Sequence, residues 1–426
     1  MATDANESKM ATVAIESDRH SSQRYVAAAV LLVLALAISP MVIGLVSGRA
    51  ELSFRINTIS ICADLFLVAL IGALLSYGRL RRLFFILMGW TFPLFLVAML
   101  EAGAAAVHLA DRIAPLRDTS VLTKYDRFPG YFLSDIRSIT YKQDGFSLYY
   151  PWKGDGIEIN RLGLRTALPT PKANGEWRVA VTGGSTAWGS SVLDEDTIPV
   201  QLERALHTRG QGNTKVFNFG IGAATLAQEL ALLKHFRRIY EIDQAIFYTG
   251  GIDLTDTFID ALSKLGGEGR MSGLATWELV KTVRRLQVQF SSASPALLAK
   301  MDSDVLPRLQ QINPLRIGIL EADNYCKSVA LRCDFVLAPV LMLRKSASGK
   351  ELQLKQTLEK LYPRFDEAAA RLYSDALRTG PQHRTYDMSA VFDRTEMRFF
   401  VDAVHINEAG NRMVAEGLAE LATFGR

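Results

Sequence analysis

Trp177-Arg178-Val179-Ala180-Val181-Thr182-Gly183-Gly184-Ser185-Thr186-Ala187-Trp188-Gly189 is the stretch on which the reading of the fold turns. Val179 to Thr182 is a short apolar run with the length and β-branched content of a buried strand, and two glycines and a serine end it. A helical pattern through Leu202 and Leu206 follows. The alternation then repeats: Val216 to Phe219 precedes a helix through Leu230 and Leu233, and Ala245 to Thr249 and Phe335 to Pro339 are further strands. Strands that alternate with helices imply parallel βαβ units and a doubly wound α/β/α sandwich. In such a sheet the turn after a strand lies at the carboxyl edge, where ligands bind, and it leaves backbone N–H groups free for a developing oxyanion. Two readings of the turn stay open: a presented nucleophile at Ser185, or a plain connection. It is not a phosphate loop, because no Gly-Lys-Ser/Thr follows.

Upstream, Pro169 to Gly175 has the composition of a loop. Tyr141 to Leu164 alternates aromatic and apolar residues as a small β-extension would, so 111–176 reads as a β-rich linker. Downstream, Asp260 to Leu315 interrupts the alternation with polar sequence and helical pieces, either a lid or a long connection.

Before Asp111 the chain changes character. Tyr25 to Gly48 carries no charge over 24 residues, which would span about 36 Å against a hydrocarbon core of roughly 30 Å. Ile56 to Tyr77 carries one charge, Asp64, and Leu83 to Leu100 carries none before Glu101 and an alanine-rich continuation to Ala110. Three transmembrane helices over 25–110, after a cytoplasmic tail over 1–24, are therefore expected. Arg79, Arg81 and Arg82 make the turn between the second and third spans cytoplasmic, which puts the soluble part outside the inner membrane. Asp64 and Glu101 either mark a proton or substrate path or sit near helix ends where a neighbour satisfies them.

The whole chain has 426 residues, 49% of them apolar, with 48 Lys+Arg against 44 Asp+Glu and a net charge of +4. That balance excludes a generally basic nucleic-acid binder and a largely disordered chain. Three cysteines are too few for a disulfide scaffold. Cys326 and Cys333 become a disulfide candidate if the soluble part lies in an oxidising compartment. No cluster has metal-ligand spacing, so neither a metal nor an organic cofactor is expected.

Near the C-terminus, Asp402-Ala403-Val404-His405 precedes a helix starting around Glu408. The three-residue step lets a carboxylate fix an imidazole tautomer and leave the other nitrogen as a general base; a helix cap beside a surface histidine is the competing reading. An Asp-x-x-His at the end of a domain that opens with strand, Gly-Gly-Ser and helix resembles the SGNH hydrolases, also called the GDSL esterase superfamily, over roughly Arg178 to Ala422. Asn218-Phe219-Gly220-Ile221-Gly222-Ala223-Ala224-Thr225 looks like the family's second block. Tyr248-Thr249-Gly250-Gly251-Ile252-Asp253 looks like its third, and Ile159-Asn160-Arg161-Leu162-Gly163-Leu164-Arg165 looks like the lead-in of membrane-anchored bacterial members.

The resemblance implies a three-layer α/β/α, flavodoxin-like SGNH domain over 177–426, with Ser185 as nucleophile, His405 as base and Asp402 as its orienting partner. It assigns Gly184, Ala223, Gly250 and Gly251 to oxyanion and binding positions. Two residues depart from the pattern: Ala223 stands where the family has glycine, and Ile252 where it has the asparagine whose amide is an oxyanion donor. Trp188 either stacks on a sugar or packs under the turn. The implied protein is a multi-pass inner-membrane serine esterase or O-acyltransferase with a periplasmic domain. Its substrate would be an acylated carbohydrate or a lipid ester, above all O-acetyl groups on envelope or exported polysaccharide, and a membrane-protein partner is compatible with this. The alternative is a catalytically lapsed SGNH-like module that binds glycan or helps assemble a complex.

Overall fold

The computed structural model describes residues 23–47, 54–107, 109–113, 116–122, 140–143, 146–154, 156–265, 277–290 and 293–421. The expected cytoplasmic tail lies outside them up to residue 22, as do 123–139 of the linker and 266–276 of the interruption. The chain forms two compact units, 1–113 with 270–286, and 114–269 with 287–426.

In the first unit, α1 (Gln23–Ile38) stops at Ser39 and α2 (Pro40–Ser47) begins at the proline. Pro40 has no N–H to donate and disfavours helical geometry at Ser39. The expected continuous span from Tyr25 to Gly48 is thus two shorter helices. Among the described residues two helices, not the expected three, are long and apolar enough to cross a membrane: α3 (Phe54–Leu75) and α4 (Gly78–Ala106). Ser76 and Tyr77 join them into a hairpin, with Phe66 packed against Phe92 and Phe95. Arg79, Arg81 and Arg82, expected in the turn, lie in the first turns of α4, because Gly78 reverses the chain at φ +57°. A short helix, α5 (Leu109–Ile113), follows.

The second unit opens with two antiparallel hairpins, β1 (Thr140–Gln143) with β2 (Phe146–Tyr149), and β3 (Trp152–Gly154) with β4 (Ile157–Ile159). Its centre is a parallel sheet of β5 (Trp177–Gly183), β6 (Thr214–Gly220), β7 (Gln244–Thr249), β8 (Arg332–Leu337) and β9 (Thr385–Asp387), in the order β6-β5-β7-β8-β9. This is the flavodoxin-like order, 2-1-3-4-5 along the domain. Val179, Val181, Ala245, Ile246 and Phe247 are buried, as strands covered on both faces must be.

The helices of this unit include α6 (Ser185–Trp188), α7 (Ile198–Thr208), α8 (Leu226–Phe236), α9 (Gly251–Leu265), α11 (Pro314–Ser328), α12 (Phe365–Thr379) and α13 (Glu408–Leu421), together with the further helices Pro295–Lys300, Leu306–Gln311 and Gly349–Leu361, while α10 (Glu278–Phe290) begins in the first unit. Among α6 to α13, those that contact one another fall into two groups, α7 with α13, and α8, α9, α11 and α12 together. The sheet separates the two layers. Cys326 at the end of α11 is bonded to Cys333 in β8, with Cα atoms 6.2 Å apart.

The turn after β5 packs directly on β6. A Cβ at Gly220 would lie 2.3 Å from the Trp188 nitrogen and 2.7 Å from the Ala187 carbonyl carbon, both backbone atoms that cannot swing aside. Gly220→Ala is expected to lower stability by about 1–3 kcal/mol in denaturant unfolding, through forced separation of the turn from the sheet.

Candidate active site

In the 2-1-3-4-5 order the strand sequence reverses between β5 and β7, and a cleft opens there at the carboxyl edge. The chain places Gly184, Ser185 and Thr186 after β5 and Gly250, Gly251, Ile252 and Asp253 after β7, and these residues line one cavity of about 10 Å³. Ser185 is the first residue of α6, so its N–H has no partner within the helix.

His405 comes to this edge from the other end of the domain. Its Nε2 lies 2.7 Å from Ser185 Oγ, and its Nδ1 lies 2.8 and 2.9 Å from the two Asp402 oxygens. Asp402 Oδ1 also accepts from the backbone N–H groups of His405 (2.8 Å) and Val404 (3.0 Å). Burial pushes the Asp402 carboxyl up, but the His405 ring and these hydrogen bonds outweigh it and hold the group at about 2. Asp402 therefore stays a carboxylate, Nδ1 carries the proton facing it, and Nε2 is free to accept the serine proton. Ser185 and His405 are both buried.

Two buried arginines pin the two halves. Arg165 donates to the carbonyls of Gly189 (2.7 Å), Val192 (2.8 Å) and Trp188 (3.2 Å) and to Asp194 (2.6 Å), and its guanidinium lies 4.6 Å from the Trp188 ring. Trp188 is buried between it and Tyr149, so it packs under the turn and does not face the cavity. Arg344 pairs with Glu351 and donates to the carbonyls of Thr395 (2.8 Å) and Met397 (2.7 Å). Glu351 accepts from the N–H groups of Phe399 (3.1 Å) and Phe400 (2.9 Å), just ahead of Asp402. Neither arginine carries a motif signal of its own. Arg165 closes the quoted lead-in, and Arg344 has no local mark.

Of the other expected positions, Gly184, Gly250 and Gly251 line the cavity, whereas Ala223 does not and its neighbour Ala224 does. Ala223 adopts a left-handed backbone, φ +59°, the conformation that favours glycine. Gly250 has φ +115°, and a Cβ there would lie 2.5 Å from Tyr373 Oη. Ile252 presents its side chain beside Gly184.

Sequence reasoning passed over Glu229, which lines the same cavity from α8. Its Oε2 is buried and has no hydrogen-bond partner. Burial, followed by the charge of Asp253, pushes its carboxyl well above the usual range, with only the nearby Thr249 hydroxyl acting the other way. Asp253 is pushed up to about 6 by burial and the neighbouring Asp256, although it accepts from Leu226 N–H and from Thr249. Among the described residues no group of three or more His, Cys, Asp or Glu side chains gathers to hold a metal.

No family model matches the chain, and no curated protein matches it. Among solved structures it is similar to the acetyl xylan esterase AlAXEase, at 12% identity and a TM-score of 0.30 over 58% of this chain and 100% of that one. It is also similar to TesA, at 14% identity and a TM-score of 0.32 over 57% and 97%. A catalytic mutant of Axe2, an acetylxylan esterase from Geobacillus stearothermophilus, is a further likeness at 15% identity and a TM-score of 0.32 over 58% and 94%.

A raised carboxyl favours the folded state below its unfolded value near 4, and that advantage is lost as pH rises through the folded value. Glu229→Gln removes this loss, so its melting temperature relative to the parent is expected to rise between about pH 5 and pH 8. Thermal scans across that range check it. Arg344→Leu strands Glu351 as an unpaired buried charge and is expected to lower stability by about 3–5 kcal/mol, read by denaturant unfolding.

Proposed function

We propose that this chain is a membrane-anchored SGNH-type serine esterase or O-acyltransferase, acting on short O-acyl groups, above all O-acetyl groups of envelope or exported polysaccharide. The hydrogen-bonded line from Ser185 Oγ through His405 to Asp402 carries the reading. Ser185 Oγ attacks the ester carbonyl carbon while its proton passes to His405 Nε2. The tetrahedral intermediate expels the alcohol, which takes that proton, and leaves an acyl-serine. Water, or a second sugar hydroxyl, then attacks the acyl carbon, gives its proton to Nε2, and restores Ser185. Water as acceptor makes an esterase and a sugar makes an acyltransferase.

The cavity supports a short acyl group. About 10 Å³ is room for one water-sized group, such as the methyl of an acetyl. The Ser185 N–H is one oxyanion donor. Ile252 offers none, and the acid form of Glu229, an O–H lining the same cavity, takes the place of the missing amide in this proposal. The anchor is the α3–α4 hairpin, and Arg79, Arg81 and Arg82 support a cytoplasmic turn with the far end of α4 outside. The Cys326–Cys333 bond is in keeping with an oxidising compartment there.

A fluorophosphonate probe is expected to label the parent and neither Ser185→Ala nor His405→Ala. Folded parent that does not label would favour the lapsed binding module. With labelling established, p-nitrophenyl acetate should be turned over in preference to longer esters. Glu229→Leu should cost on the order of 10²-fold in kcat/KM, the worth of one oxyanion donor, and Glu229→Gln, which keeps an N–H donor, should cost less. Equal loss in both variants would remove Glu229 from the mechanism.

A further inference from the structure

α10 is amphipathic in the reverse sense for a helix of a water-soluble protein. Glu278, Thr282 and Arg285 are buried, while Val280, Val283 and Leu286 are 42%, 53% and 37% exposed. At 3.6 residues per turn the three apolar side chains fall within about 120° of arc, and half-buried Leu279 lies in the same arc. A helix of this kind is not arranged to present that face to water.

Its N-terminus is tied to the membrane hairpin. Glu101 of α4 accepts from the N–H groups of Glu278 (2.6 Å) and Leu279 (2.9 Å), and Glu278 accepts from Ala110 N–H (3.1 Å). Glu101 is fully buried, so this carboxylate caps a helix, which corresponds to the satisfied alternative for an acidic residue near a span's end. The cap also sets a depth. Glu101 lies 23 residues beyond Gly78 in one continuous helix, about 35 Å against a hydrocarbon core of roughly 30 Å. The start of α10 is therefore held at the level where α4 leaves the core on the side away from its arginines. Leu96, Val97 and Leu100, in the α4 turns just before Glu101, are exposed apolar residues as well.

We propose that α10 lies in the outer membrane–water interface, with Val280, Val283 and Leu286 in the acyl boundary. The occupant of this face is the bilayer itself. Lys281, which pairs with Glu278 at 3.7 Å, and Arg284 both lie on one side of the apolar arc, and long basic side chains at such a boundary keep their stems in the apolar layer and their charges in the headgroup region. The inference rests on the membrane reading of α3 and α4.

The test uses the full chain in phosphatidylcholine vesicles, with Cys62→Ser and single cysteines at Val283, at Leu96 in α4 and at exposed Lys360, each carrying an environment-sensitive fluorophore. The Leu96 and Val283 labels are expected to lose emission to doxyl-labelled lipids, Val283 more to a shallow quencher than to a deep one, and Lys360 to lose none. A Val283 label that is unquenched while Leu96 is quenched overturns the interfacial helix and leaves the membrane hairpin standing; an immobile, unquenched Val283 label points to a protein partner and overturns it equally. If Leu96 too is unquenched, the membrane reading falls and takes this inference with it. Val280→Cys repeats the measurement if the Val283 variant fails to fold.

Discussion

The site depends on the Arg344–Glu351 pair, in which both side chains are fully buried. One carboxylate oxygen holds two consecutive backbone N–H groups, and one guanidinium holds two carbonyls of the segment just before them. The segment 395–400 has no helix or long strand to fix it, and only an isolated bridge between Phe400 and Ile406 follows. Beyond the pair, backbone hydrogen bonds from Asp118 to Val401 (2.6 Å) and from Leu341 to Ala403 (2.9 Å) set where Asp402 and His405 arrive. Arg165 performs the corresponding task for the nucleophile by gathering three carbonyls of the 188–192 turn. The 2.7 Å contact between His405 and Ser185 is thus the meeting of two loops, each pinned by its own buried guanidinium. Arginine suits both places, because its planar fork satisfies several carbonyls at once and keeps its charge when buried.

The sheet supplies the other coordinate. Reversal of strand order between β5 and β7 opens the edge where Ser185 and Gly250 to Asp253 converge, and the absence of side chains at Gly183 and Gly220 lets the turn lie against its neighbours. A turn held this tightly leaves a small cavity beside the serine.

Much of this was legible in the sequence because it is local. Strands β5 to β8 are apolar runs between glycine or polar breaks, and the Asp402-x-x-His405 step is short enough for its geometry to follow from spacing. β9 was not legible: three residues at a sheet edge, with Tyr386 only half-buried, carry no periodic signal. Tyr25 to Gly48 misled, since hydropathy counts apolar residues and is blind to the hydrogen bond that Pro40 cannot make. Glu229 was invisible for a different reason. Its spacing marks it as an ordinary helical glutamate, and only the fold turns it toward Asp253 and the cavity.

The departures at Ala223 and Ile252 bear on whether the site works. A left-handed alanine costs about 1–2 kcal/mol, and a buried carboxyl oxygen without a hydrogen-bond partner costs about 1–3 kcal/mol. The second falls in the cavity that Ser185 lines and the first next to its lining residue Ala224, and in a fold of ordinary stability each is a sizeable share of the total. Were the chain only a scaffold, replacing Glu229 by leucine and Ala223 by glycine would relieve them with no loss. Glu241, Ala330, Arg364 and His383 also have positive φ, so such costs are not confined to this cavity; what sets it apart is Ser185, His405 and Asp402 in hydrogen-bonding line. In the proposed mechanism the change at Ile252 is a donor exchanged, amide for carboxylic acid. That exchange carries its own pH signature, because the acid donates only while it holds its proton, whereas His405 accepts the serine proton only when it has none.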